Sequence, residues 1–319
     1  NKGLIKGDGA GVCYKCSYNT VTNCYYLKDT AKNGIALGWG EARVKTTAQF
    51  ASGEVAWLLN GGTAEGEVAW YQNLSGNADA YPVLDSSHGT VYYGYDACTL
   101  TYSNHALQPT PEHSYDANGF CTGCGDDYQP ATLISEGNYE IANAGQLYWF
   151  ANQVNSGNTT INGKLIADIV VNQNVLTADG ELNGDGSGFI VWTPIGKDED
   201  NKRFDAIFDG QGHTVSGLYF SDATAVCVGL FGSVGTNSVI KNVGVTDSYF
   251  YADKYVAGIC QVLHWGGGGI VGGNWGTGTI RNCYSKGLMK GNGGGVCYSN
   301  DGTVTNCYFL KGTAYAAIR

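Results

Sequence analysis

A four-residue motif recurs along this chain: a β-branched residue, any residue, Asn, then Cys or Val. It reads Val21-Thr-Asn23-Cys24, Ile240-Lys-Asn242-Val243, Ile280-Arg-Asn282-Cys283 and Val304-Thr-Asn306-Cys307. Asn282 and Asn306 are 24 residues apart, whereas Asn242 and Asn282 are 40 apart, as if one unit carried an insertion. Gly-rich strand openings fall between the motifs, at Val228-Gly-Leu-Phe231, Val256-Ala-Gly258, Gly269-Ile-Val271 and Gly293-Gly-Gly-Val296. A unit this short cannot bury an apolar face alone, so units must stack with like residues over like. The spacing therefore predicts a mainly β fold, a right-handed β-solenoid. Asparagine at a fixed corner can hydrogen-bond to its copies above and below or adopt a left-handed turn. Cys24, Cys283 and Cys307 fall in one inward column.

A second, longer repeat contains the first. Residues from Asn1 through Cys13-Tyr14 to Asn23-Cys24 return as Ser285 through Cys297-Tyr298 to Asn306-Cys307. The cysteines of the first pair are 284 positions apart and those of the second 283. A match this long predicts a window of about one period from a tandem array, with neighbouring repeats of the same chain as partners. Arrays of large units gain reach and avidity by repetition.

Composition narrows the function classes. Across 319 residues, 18 Lys+Arg stand against 28 Asp+Glu, and no basic run occurs, which argues against nucleic acid as a partner. No apolar run is long enough to span a bilayer, so membrane insertion by this stretch is not expected. Glycine (49) and tyrosine (22) are abundant and proline (5) is scarce, as suits many short strands and tight turns. Several of the 11 cysteines sit where a small apolar core residue would serve, which points to an exported protein of a reducing or anaerobic setting with most thiols buried and inert.

Apolar residues at Leu147, Phe150, Ala151 and Val154 have helical spacing within Tyr139–Asn155 and predict a helix over the open end of the stack. A second helix is predicted over Thr46–Asn60, ending at Gly61-Gly62. The expected organisation is 1–45, the end of one solenoid; 46–97, a capping helix and small β region; 98–130, a Cys/His-bearing link; and 131–319, a capping helix and the next solenoid.

Val228-Gly-Leu-Phe-Gly232 and Gly278-Thr-Ile-Arg-Asn-Cys-Tyr-Ser285 resemble the rungs of GLUG-motif repeat proteins, found on the surfaces of gut anaerobic bacteria. Ala48–Gly62, with Trp70-Tyr-Gln-Asn73 and Tyr81-Pro-Val-Leu-Asp85, is similar to modules seen beside such repeats. The resemblance covers about two thirds of the chain and is specific for architecture. It implies a secreted or cell-surface location and an adhesin-like context, in which some large surface proteins bind immunoglobulin as superantigens.

Three sets of side chains carry candidate chemistry. In Phe120-Cys-Thr-Gly-Cys124 the thiolates of Cys121 and Cys124 can take adjacent corners of a metal tetrahedron. Cys98 and His113 are placed to complete a structural zinc site, with His105 as a substitute. A Cys121–Cys124 disulfide, or free thiols in a loop-rich link, is the competing reading. Asp205, Asp209 and His213 could serve glycoside hydrolysis, although Asp209-Gly-Gln-Gly212 is also a turn signal. Tyr249, Phe250, Tyr251, Tyr255, Trp265 and Trp275 cluster in and around the long insertion, and such residues on rigid loops anchor protein interfaces.

The reading that follows is a non-enzymatic cell-surface binding unit that recognises a host protein or glycoprotein, with immunoglobulin the specific candidate. A carbohydrate-active β-helix enzyme or glycan-binding accessory predicts clustered carboxylates on one face instead. A passive spacer predicts neither carboxylates nor exposed aromatics.

Overall fold

The computed structural model describes residues 3–197, 202–225, 228–252, 278–290, 293–296 and 302–314, with the backbone alone for 17–20. Contacts divide the chain into two compact units, Asn1–His113 and Ser114–Arg319. Both are mainly β.

The first unit opens with β1 (Ala10–Leu27) and β2 (Asn33–Lys45), which pair in parallel with Cys24 opposite Ala42 and Tyr26 opposite Val44. Cys13 and Cys16 of β1 are disulfide-bonded. The single helix expected over Thr46–Asn60 is two short ones, α1 (Thr47–Ala51) and α2 (Glu54–Leu59). Thr46 and Gln49 close a capping box at the start of α1, and Gly53, at φ +93°, makes the break. Phe50 and Val55 from the helices bury Tyr25 of β1, with Leu27, Leu58, Leu59 and Tyr81 packed around them. Asn23 fastens α2 to β1, donating from its side chain to the Leu59 carbonyl at 3.0 Å. Further on, β3 (Tyr92–Asp96) and β4 (Thr99–Ser103) form an antiparallel hairpin.

The second unit begins with another antiparallel pair, β5 (Thr132–Ser135) and β6 (Asn138–Ile141). Tyr139–Ile141, placed in a helix by spacing alone, belongs to β6. The helix α3 starts only at Ala144 and runs to Asn155, because the Asn143 side chain accepts the Gln146 backbone N–H and caps it. After α3 come β7 (Asn162–Leu165) and β8 (Ile169–Val170).

From there the chain adds strands in a fixed order. One tier contributes β9 (Ile207–Asp209), β10 (Thr214–Ser216) and β11 (Tyr219–Ser221). The next contributes β12 (Val239–Lys241), β13 (Gly244–Thr246) and β14 (Tyr249–Tyr251). Then follow β15 (Thr279–Arg281), β16 (Tyr284–Ser285) and β17 (Leu288–Lys290), and lastly β18 (Thr303–Thr305) and β19 (Tyr308–Phe309). Corresponding strands of successive tiers pair in parallel, making three sheets.

In-register pairing puts like over like. Phe208, Ile240 and Ile280 form one buried column; Val215, Val245 and Ser285 form another; in a third, buried Phe250 and Met289 follow half-buried Phe220. Each large apolar side chain buried this way contributes on the order of 1.5–3 kcal/mol. Helix α3 packs Leu147, Phe150, Ala151 and Val154 into the same core, with the Phe150 ring 5.9 Å from that of Phe208. The motif asparagines form the corner. Asn306 donates to Asn282 at 2.9 Å, Asn282 to Asn242 at 3.0 Å and Asn242 to Asp209 at 2.9 Å. All three asparagines are left-handed, at φ +49°, +55° and +55°, so the ladder and the turn, expected as alternatives, occur together.

Candidate metal centre and aromatic surface

Two local turns prepare the Cys/His cluster. Ala97, at φ +51°, turns the chain between β3 and β4 and leaves Cys98 at the hairpin tip. The Glu112 N–H donates to the Ala97 carbonyl at 2.9 Å, which brings the neighbouring His113 to that tip. Downstream, Tyr115 bridges antiparallel to Cys121 and Phe120 to Tyr128, and the Gly125 N–H closes the knuckle on the Cys121 carbonyl at 3.0 Å.

The donor atoms of Cys98, His113, Cys121 and Cys124 all lie within 4.8 Å of one another, with Cys121 buried and the other three half-buried. This set could hold a metal ion. Three sulfurs and one imidazole nitrogen suit a tetrahedral centre, whose ligand atoms stand about 3.8 Å apart when metal–sulfur bonds are about 2.3 Å. Nearby, Tyr115 donates to Asp127 at 2.6 Å. Burial first, then the Asp127 hydrogen bond and the Cys121 and Cys124 thiols, push its hydroxyl up to about 12. His105, the proposed substitute ligand, instead bonds the Ser103 hydroxyl at 2.6 Å.

The carboxylates considered for hydrolysis are taken up in the stack. Asp205 accepts from the Asn237 backbone at 2.6 Å and from its side chain at 3.0 Å. Asp209 pairs with Lys241 at 2.8 Å and also accepts from Asn242 and the Gln211 N–H. Burial raises its pKa, but these three partners together outweigh burial and bring it down to about 2. His213 lies 3.4 Å from Asp168 rather than beside either aspartate.

The aromatic cluster expected around the insertion is corrected in part. Phe250 is fully buried in the core, because the alternation of β14 points it inward between Phe220 and Met289. Tyr249 is buried too, stacked on Tyr219 at 5.9 Å. Tyr251 is half-buried, and Tyr255, Trp265 and Trp275 lie outside the described residues. The exposed aromatic that motif reasoning missed is Trp39 of β2, 82 % exposed. Gly38 and Gly40 flank it at φ +113° and +135°; a Cβ at Gly38 would meet the Cys16 carbonyl oxygen at 2.0 Å, and one at Gly40 would meet Val21 at 2.7 Å. The glycines let β2 lie against β1 while the indole faces solvent. Gly-Trp-Gly inside a strand is the signal that could have revealed it.

No family model matches the chain. It is similar to halomucin of Haloquadratum walsbyi, 32 % identical over 196 residues, or 61 % of this chain, and spans about 2 % of that protein's length. A crystal structure from Bacteroides ovatus, provisionally assigned as an immunoglobulin A1 protease, aligns over 59 % of this chain and 78 % of its own at 16 % identity; its TM-score of 0.26 is too low to carry an argument. Among the described residues, no helix is long and apolar enough to cross a membrane.

Proposed function

We propose that the chain is a non-enzymatic display and binding unit of a bacterial surface protein. In this reading the tiers wind as a right-handed β-solenoid of the GLUG type, the hand that parallel crossovers nearly always take. The observation that carries it is the use to which the stack puts its polar side chains. Asp205, Asp209, Asn242, Asn282 and Asn306 are spent on bonds between tiers, as in a scaffold. The likeness to halomucin supports a place at the cell surface.

Recognition then falls to aromatic side chains, with Trp39, flanked by two constrained glycines, the foremost and Tyr255, Trp265 and Trp275 of the sequence insertion the second. The partner is a host glycoprotein, with immunoglobulin the specific candidate. A zinc ion held by Cys98, His113, Cys121 and Cys124 is structural, since four protein ligands leave no open coordination position.

The test is capture by the purified chain from host secretions and from immunoglobulins of defined variable-region class. The reading expects a captured glycoprotein and at least about tenfold weaker capture by Trp39→Ala or by Trp265→Ala/Trp275→Ala. Capture of nothing by the unaltered chain leaves a passive spacer.

A further inference from the structure

The two copies of the long repeat fold alike locally. Asn23 and Asn306 are left-handed at φ +51° and +49°. Tyr25 donates to Asn23, and Tyr308 to Asn306, both at 2.9 Å. Thr30 closes a turn on the Leu27 carbonyl at 2.5 Å, and Thr313 does so on the Leu310 carbonyl at 2.7 Å. A Cβ added at Gly11 would strike the Tyr26 ring at 2.6 Å, and one at Gly295 would strike the Phe309 ring at 2.2 Å. Six positions around one corner thus keep the same contacts in both copies.

What covers them differs. In the first copy β2 pairs along β1 through Leu27, and α1 and α2 pack on Tyr25, which is 8 % exposed. In the second copy β18 and β19 end their sheets. There Tyr308 is 66 % exposed and Leu310 49 % exposed. Among the described residues, the same strand sequence therefore presents an unpaired backbone edge and an exposed tyrosine in one place and is sheathed in the other. An uncovered parallel edge bearing large apolar side chains is a ready pairing template.

We infer that the edge Thr303–Leu310 is a docking site for a segment with the sequence of Asn33–Leu59, a strand followed by a helix pair, supplied by the adjoining repeat. The strand would pair with Cys307–Leu310 as Ala42–Lys45 pairs with Cys24–Leu27, and counterparts of Phe50 and Val55 would cover Tyr308. Each junction would then be closed by the same cassette and would present another copy of Trp39. The docking stands whether or not any host protein is bound.

The experiment uses the full chain with a second copy of residues 32–83 appended after Ala314, in place of residues 315–319. Hydrogen exchange at Thr303–Leu310 is compared with the unaltered chain, and nitration of Tyr308 is measured alongside. The inference expects exchange at least about tenfold slower across that edge and Tyr308 protected to the level of Tyr25. A control carries Arg43→Pro and Phe50→Asp in the appended copy only, and should lose both effects. Unchanged exchange at Thr303–Leu310, with β9–β14 still protected, would overturn it, as would equal protection by the control.

Discussion

Cys283 and Cys307 stand on neighbouring tiers, donating their thiols to the Arg281 and Thr305 carbonyls at 3.2 Å each, and the two thiols drive each other's acidity apart. The Cys283 thiol lowers Cys307 to about 7 against burial, while the Cys307 thiol and then burial raise Cys283. Alkylation of Cys307 should therefore rise with a midpoint near pH 7, well before Cys283 reacts. Cys283→Ala removes that thiol and should move the midpoint back towards 9. A midpoint unmoved by that change would count against the pairing. The sign for stability follows from the lowered value: folding gains from the Cys307 thiolate as pH rises from about 7 to 9, and the raised Cys283 reverses the gain above 9.

Asn282 both donates to Asn242 and accepts from Asn306 while holding a left-handed backbone. Asn282→Gly keeps the backbone freedom and loses the ladder, so it should cost about 1–2 kcal/mol in urea unfolding. Asn282→Ala also meets the strain of positive φ and should cost about 1 kcal/mol more. Equal losses from the two would mean that the turn carries no strain.

Asp209 titrates at about 2, so its contribution is complete above its ordinary value of 3.8 and is lost as pH falls from there towards 2. Asp209→Asn should destabilise the protein by on the order of 1–2 kcal/mol at pH 7 and by much less near pH 2, as read from unfolding curves at both. A loss that does not shrink in acid would assign the effect to packing rather than to charge.

Metal analysis after purification without chelators should find about one zinc per chain, and Cys121→Ser or Cys124→Ser should abolish it. Zinc retained by both variants would show that the ion sits elsewhere.

Sequence reading reached furthest where period governed structure. The recurrent Asn motif placed the corners of the tiers, because a turn repeated at a fixed register can only stack on itself. The four cysteine and histidine positions could be grouped by ligand chemistry, although only the fold brings Cys98 and Cys121 within reach. Phe250 was misplaced because three successive aromatics at Tyr249–Tyr251 look like a patch, whereas strand alternation sends the middle one inward. The break at Gly53 escaped notice because apolar spacing continued across it. Trp39 went unremarked because no periodicity marks it; its exposure depends on how closely two glycines approach β1.

The corner asparagines have a consequence for chemical ageing. Deamidation requires the next residue's backbone nitrogen to swing onto the asparagine side-chain carbon. In Asn242 and Asn282 the side chain is held at both ends, one atom donating to one tier and the other accepting from the next. Asn306 also donates to Asn282, but among the described residues its oxygen is met by Tyr308 of its own tier. Isoaspartate should therefore form first at Asn306, the one of these three whose oxygen is tied only within its own tier.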